Sequence, residues 1–143
     1  MQGVPEVAEW LIDSWPILEW MKGREPAGTR FEELVDAALR EKIKLSISRM
    51  NYGEVLYSIA KDFPLDERDR HLENLRNLPL NIYSVSDSLL DEAVALKSVY
   101  SLSYADCFCA AQAMRLQTPI VTGDPEFRLL ESDGLLKLQW VGA

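Results

Sequence analysis

The chain has 143 residues, of which 48% are hydrophobic and 27% charged, and this ordinary globular composition excludes a disordered or low-complexity protein. Its formal net charge of -8 excludes the broad basic surface of a duplex-DNA-binding protein. No apolar run approaches the length of a membrane span. The length suits one domain, so we expect a single domain over residues 1–143, with no role assigned to residues 1–8.

Strand-like apolar runs alternate with helical patterns along the whole chain. In chain order, the pattern predicts strand Trp10–Ile12, helix Pro16–Met21, helix Thr29–Lys42, strand Leu45–Ser48, helix Tyr52–Lys61, helix Leu65–Leu78, strand Leu80–Val85, a helix after Ser86 that carries Leu89 to Leu96, helix Ser103–Gln117, strand Pro119–Thr122 and strand Leu136–Val141. Strands separated by helices pair in parallel through right-handed crossovers. We therefore predict an α/β fold, a single doubly wound domain with a five-stranded, mostly parallel sheet flanked by helices.

Four acidic residues stand near the predicted carboxyl ends of strands. Asp13 closes the first strand, Glu54 lies in the helix after the second, Asp106 lies in the first turn of the alanine-rich helix, and Asp124 follows the fourth strand. Ligands of open α/β sheets bind beyond these strand ends. The placement favours a ligand site, provided that the four strand ends adjoin.

The same acids also fit a purely structural interpretation. Asn51-x-x-Glu54 and Ser103-x-x-Asp106 match the capping-box pattern, and Asp124 precedes a proline as an N-cap residue often does. Under this alternative the protein is a non-catalytic binding module whose acids only cap helices.

Four adjoining carboxylates would repel one another strongly enough to need protons or a cation. At about 5 Å and an effective dielectric constant near 20, each pair repels by roughly 3 kcal/mol. The six pairs of a four-acid cluster then approach the ~5–15 kcal/mol net stability of a domain or exceed it. Such a cluster must take up protons or bind a cation, and oxygen ligands suit Mg²⁺, with Mn²⁺ as a substitute.

Histidine and cysteine chemistry have little support in this sequence. The chain has one histidine, His71, in a polar stretch where we predict a solvated helix position, and this disfavours zinc and triad chemistry. Cys107 and Cys109 are two residues apart, so they match neither a disulfide framework nor a C-x-x-C metal pair, and we predict packing roles. Without a signal-peptide pattern, we expect a cytoplasmic protein.

Four segments of the chain resemble the PIN-domain ribonucleases, most closely the VapC-type toxins of toxin–antitoxin pairs. These segments are Leu11–Ser14, Asn51–Tyr57, Leu102–Phe108 and Ile120–Phe127, and their order and spacing span nearly the whole chain. The two C-terminal segments are the specific ones. The resemblance implies a strand order of 3-2-1-4-5, which would bring the acids into one pocket.

The resemblance also implies a site, a reaction and partners. The family's catalytic and metal-binding acids correspond to Asp13, Glu54, Asp106 and Asp124, with Ser14 and Thr122 as polar neighbours; Glu126, close to the fourth acid, either supports the site or is merely exposed. The expected reaction is Mg²⁺-assisted hydrolysis of RNA phosphodiesters. The expected partners are the RNA substrate, a second copy in a homodimer, and a cognate antitoxin.

One further class of protein has an acidic Mg²⁺ pocket at strand ends, the phosphoacceptor signalling domain. It needs an acid pair at the first strand, an acid at the third and a lysine at the fifth. Asp13 is followed by Ser14 here, the third strand ends near Asp87, and Lys137 lies in the last run. Glu54 and Asp106 would have no role in such a domain.

Overall fold

A computed structural model describes residues 7–143, which form one five-stranded sheet covered by helices. Its elements are β1 Ala8–Ile12, α1 Ser14–Met21, α2 Ala27–Leu39, β2 Ile43–Ser48, α3 Arg49–Asp62, α4 Leu65–Arg76, β3 Leu80–Tyr83, α5 Asp87–Val99, α6 Tyr104–Leu116, β4 Ile120–Thr122, a 3₁₀ turn Pro125–Phe127, α7 Arg128–Ser132 and β5 Leu138–Trp140. Of the N-terminal segment left without a role, Ala8 belongs to β1, and residues 1–6 lie outside the described residues.

The strands stand in the order β3-β2-β1-β4-β5, and every neighbouring pair is parallel. This confirms the α/β fold and the strand order that the family resemblance implied, with an entirely parallel sheet. Because β1 lies at the centre, its carboxyl end is next to the carboxyl ends of both β2 and β4. Residues that follow these three strands therefore meet at one edge of the sheet.

Two apolar clusters, one on each face of the sheet, hold the helices in place. Leu11 and Ile12 are adjacent in β1 and fully buried, yet Leu11 belongs to the cluster with α5, α6 and α7 whereas Ile12 belongs to the cluster with α1, α2 and α3. Side chains alternate across a strand, so consecutive apolar residues in β1 require helices on both sides. No helix among residues 7–143 has the length and apolar character needed to cross a bilayer.

Helix α6 is the most deeply buried helix of the described chain, with a continuous buried run over residues 106–113. Its cysteines and alanines are small, which allows close packing against the sheet and against α5. Cys107 and Cys109 are both free and fully buried, so their predicted packing role is confirmed.

Two features of the structure depart from the local patterns of the sequence, and the first corrects the predicted solvated position of His71. His71 is only 5% exposed, and its ring centroid lies 4.2 Å from that of Phe63, because α4 turns this side of its otherwise charged surface toward α3. Helix α7 lies in a segment for which no helix was predicted; its five residues are too few to establish a helical period.

Candidate metal centre

Three of the four predicted acids converge at the carboxyl edge of the sheet. One carboxylate oxygen from each of Asp13, Asp106 and Asp124 lies within 4.8 Å of the other two. Glu54 lines the same cleft, whose volume is about 450 Å³. The exits of β1, β2 and β4 adjoin, as the ligand-site interpretation required, and Asp106 reaches the same edge from the first turn of α6, which follows α5 instead of a strand.

The central strand β1 delivers Asp13 to the bottom of this cleft. Asp13 occupies the N-cap position of α1, but its carboxylate makes no capping hydrogen bond and is 1% exposed. Its Oδ2 accepts a hydrogen bond of 3.0 Å from Thr122 Oγ1, whereas Oδ1 is buried without any hydrogen-bond partner. A buried carboxylate oxygen without a donor is costly, and a bound cation would satisfy it.

Thr122 connects two of the acids. Its hydroxyl donates to Asp13 and also accepts a hydrogen bond of 3.0 Å from the backbone N–H of Asp124. Thr122 is fully buried at the end of β4, so its hydroxyl is fixed by the strand that carries it. This arrangement gives Thr122 the supporting position that the family resemblance implied.

Helix α3 positions Glu54 within its second turn, and this excludes the predicted capping box. The helix begins at Arg49 and is capped by Ser48, whose hydroxyl accepts a hydrogen bond from the backbone of Met50. Asn51 and Glu54 both lie inside the helix. Glu54 instead accepts a short hydrogen bond from the hydroxyl of Ser14 at the start of α1.

The other two acids have different local roles. Ser103 caps α6 by accepting a hydrogen bond of 3.2 Å from the backbone N–H of Asp106. Asp124 caps the 3₁₀ turn by accepting a hydrogen bond of 2.9 Å from the backbone N–H of Glu126. Asp124 is therefore the acid that fits the capping interpretation most fully, and its carboxylate still faces the cluster.

Glu126 is exposed and lines the cleft beside Asp124. Burial is the main cause that raises the pKa of Asp106, and the neighbouring Glu126 carboxyl group adds a smaller effect in the same direction. Glu126 is therefore exposed and borders the site, and a supporting role for it stays a prediction.

The electrostatics of the cleft matches the repulsion expected for a cluster of acids. Burial, followed by the charge of Asp106, raises the pKa of Asp13 well above its usual range. Burial, followed by the charges of Asp124 and Glu54, raises the pKa of Asp106 to about 8. No ion pair among residues 7–143 involves any of the four acids. The site therefore has a strong unmet preference for protons or for cations.

Trp15 and Gly123 form a packed wall of the cleft. A Cβ atom at Gly123 would lie 2.3 Å from the Trp15 ring, so only glycine allows this contact after β4. The Trp15 ring therefore packs against the backbone at Gly123.

The cations that line the cleft are lysines, and four arginines of the chain have partners of their own. Arg24 pairs with Glu19, Arg115 with Glu92, and Arg49 and Arg128 lie over the rings of Tyr52 and Trp140. The cleft is instead lined by Lys22 and Lys61, together with Tyr57. The sequence could have indicated Tyr57 and Lys61 as cleft residues, because they follow Glu54 by three and seven residues and so lie on the same face of α3.

The phosphoacceptor alternative finds no support in this geometry. Lys137 is exposed and precedes β5, so it lies at the amino end of a parallel strand, whereas the acids lie at the carboxyl end. The binding-module alternative, in which the acids only cap helices, fails for Asp13 and Glu54.

A family model described as the PIN domain matches residues 11–132. The chain belongs to the PIN-domain family. This assignment covers all four acids, and it confirms the resemblance stated from the sequence. Among curated proteins, no sequence matches this one.

Solved structures of toxin–antitoxin proteins share the fold of this PIN domain. The VapBC2 structure from Rickettsia felis, bound to a promoter DNA fragment, matches with a TM-score of 0.70 and 15% identity, over 92% of this chain and 98% of that chain. A toxin–antitoxin complex from Klebsiella pneumoniae matches with a TM-score of 0.62 and 22% identity, over 82% and 88%. VapC20 of Mycobacterium tuberculosis, described as a toxin that cleaves the sarcin-ricin loop, matches with a TM-score of 0.62 and 12% identity, over 84% and 93%.

Proposed function

We propose that this PIN domain is a Mg²⁺-dependent endoribonuclease and the toxin of a toxin–antitoxin pair. One observation carries the proposal: the carboxylates of Asp13, Asp106 and Asp124 converge within 4.8 Å, and none of them forms a salt bridge within residues 7–143. The orphaned Oδ1 of buried Asp13 fits a cation ligand. Oxygen donors without histidine or thiolate favour Mg²⁺, or Mn²⁺ in its place.

In this proposal each residue of the cleft has a distinct task. Asp13, Asp106 and Asp124 hold the ion, with Glu54 beside them as a further ligand or as the group that takes a proton from the attacking water. Ser14 orients Glu54 and Thr122 orients Asp13 through the hydrogen bonds described above. A divalent ion supplies Lewis-acid chemistry by polarising the phosphoryl group and by making water a better nucleophile.

The choice of RNA and of a protein partner comes from the family. The structurally similar VapC20 is described as a toxin that cleaves the sarcin-ricin loop, and several similar structures are of VapBC proteins. We infer that this protein acts on RNA, forms a homodimer, is bound by a cognate antitoxin and acts in the cytoplasm. A net charge of -8 suits a basic segment of such an antitoxin.

Cleavage assays with purified protein test the proposal. The wild type should cleave single-stranded RNA with Mg²⁺ or Mn²⁺ and lose this activity in EDTA. Asp106→Asn should abolish cleavage, whereas Asp91→Asn, an exposed position on α5, should retain it. Full-rate cleavage by Asp106→Asn, or cleavage that persists in EDTA, would contradict the assignment.

A further inference from the structure

The cleft that holds the acids extends outward between α1 and α3, and its outer half carries different chemistry. On α3 the lining residues Glu54, Tyr57 and Lys61 follow the spacing of one helical face. Tyr57 lies about 4.5 Å and Lys61 about 10 Å beyond Glu54 along the helix axis. On α1, Lys22 lies about 12 Å beyond Ser14 and lines the same cleft. The cleft is thus a groove with acids at its inner end and lysines at its outer end.

Tyr57 is the most exposed aromatic side chain among residues 7–143, with 62% of its surface accessible. The Tyr57 ring is not needed to fill the core. The aromatic ring that packs in the cleft is Trp15 on the facing helix, which lies against Gly123. The Nζ atom of Lys61 lies 5.6 Å from the centroid of the Tyr57 ring. An accessible aromatic ring beside a cation is the pairing by which proteins bind single-stranded nucleic acid without reading a duplex.

The outer half of the groove does not share the strong negative charge of its inner end. Lys22 and Lys61 line this part of the cleft together with Glu19 and Asp62, and Arg24, which is not a lining residue, lies 3.5 Å from Glu19. Two lysines are therefore balanced by two carboxylates here, and one of these carboxylates is already paired with an arginine. A phosphate at the mouth of the groove would meet two ammonium groups, while divalent ions would neutralise the acids farther in.

We propose that the groove between α1 and α3 binds the single-stranded RNA next to the cleaved bond, with Tyr57 stacking on a base and with Lys61 and Lys22 contacting phosphates. This inference rests on the proposed ribonuclease function and adds the residues that position its substrate. Because aromatic stacking accepts every base, the groove fixes the path of the strand and requires an unpaired substrate.

Binding measurements separate substrate positioning from catalysis. Fluorescence anisotropy with a labelled ten-nucleotide single-stranded RNA and Mg²⁺ should be carried out in an Asp106→Asn background, in which cleavage does not interfere. Adding Tyr57→Leu should raise Kd about ten-fold or more, whereas Tyr57→Phe should leave Kd close to that of the background because phenylalanine retains the aromatic face. Both Tyr57 substitutions lie at an exposed position, and circular dichroism would verify folding of each variant.

The lysines are tested through the salt dependence of binding. Each phosphate contact contributes about 0.7 to the slope of log K against log salt for single strands, so Lys61→Gln and Lys22→Gln should each lower the slope by about that amount. Lys42→Gln is the matched control, since Lys42 is exposed and precedes β2, at the opposite end of the sheet from the acids. It should leave the slope unchanged.

The outcomes distinguish the two levels of the proposal. If wild-type protein cleaves RNA but Tyr57→Leu and both lysine variants bind RNA like the background, the groove assignment is wrong and the ribonuclease function stands. If these variants leave RNA binding intact and alter only the binding of an arginine-rich peptide, the groove receives a protein partner and the assignment is again overturned. If wild-type protein neither cleaves nor binds RNA, both proposals fail.

Discussion

The acid cluster should make the metal-free protein less stable as the pH rises, and Asp106→Asn should relieve this effect. The pKa of Asp106 is about 8 in the folded protein, because burial and the charges of Asp124 and Glu54 favour the protonated form. In the unfolded chain an aspartate titrates near ~3.9. The folded state therefore binds this proton more tightly than the unfolded chain does. The stability that the proton contributes is fully present below about pH 4 and is lost as the pH rises toward 8.

The size of the effect follows from the interval between these two pKa values. At pH 7 the carboxyl group is still protonated in the folded protein, whereas in the unfolded chain pH 7 lies about three pH units above its pKa. Each unit is worth about 1.4 kcal/mol, so the free energy of unfolding of metal-free wild-type protein is on the order of 4 kcal/mol lower at pH 7 than at acidic pH. Asparagine at position 106 carries no charge and does not incur this loss. For a protein of this size, that difference corresponds to a Tm increase of ~10 °C in EDTA at pH 7.

Thermal unfolding of EDTA-treated protein from pH 4.5 to 8 checks this prediction. The Tm difference between Asp106→Asn and wild type should be small at pH 4.5 and grow with pH, while Asp91→Asn should follow the wild type throughout. Adding Mg²⁺ at pH 8 should raise the Tm of the wild type more than that of Asp106→Asn, because the ion binds the native carboxylates. Parallel curves for all three proteins in EDTA would refute the reasoning that the carboxylates repel one another in a buried cluster.

Two further predictions concern a supporting hydroxyl and a buried histidine. Thr122→Val keeps the shape of a fully buried side chain but removes the hydroxyl that holds Asp13 and Asp124, so Mg²⁺ affinity measured by calorimetry should fall ~10–100-fold, and Thr122→Ser should restore most of it. A Thr122→Val protein with wild-type affinity would show that the hydroxyl does not orient the acids. Burial and the charge of Arg70 lower the pKa of His71, so the unfolded chain takes up this proton more readily and stability is lost as pH falls below about 6.5. Urea unfolding at pH 7.5 and 5 should show a smaller acid-induced loss for His71→Leu than for wild type, and equal losses would contradict the prediction.

The antitoxin and the homodimer are proposals that stand apart from the acid site. Both are inferred from the family, whereas the four acids have their own physical argument in this chain. Loss of cleavage in Asp106→Asn, with unchanged binding to an antitoxin, would separate the chemistry of the cleft from the recognition of partners.

Local sequence was sufficient for most of the fold. Six helices and five strands follow from apolar periodicity, and their alternation implies a parallel sheet, because a helix must return the chain to the same edge before each new strand. Asp13 and Asp124 could be placed at strand ends for the same reason, whereas Asp106 follows α5 and not a strand. The start of α3 was predicted too late. The pair Asn51 and Glu54 was interpreted as a capping box, but Ser48, three residues before Asn51, caps this helix.

Tertiary structure decided everything that depends on which elements are neighbours. Asp13 and Asp106 are separated by more than ninety residues, and periodicity contains no information about their distance; the central position of β1 in the sheet determines it. The same applies to His71, which a charged helix buries against Phe63, and to Lys22 and Lys61, which meet across a groove only because α1 packs beside α3. Backbone preferences act over a few residues, whereas burial and Coulomb interactions act between any residues that the folded chain brings together. The sequence by itself therefore determined the helices, the strands and the acidic residues, and packing determined that these acids form one site.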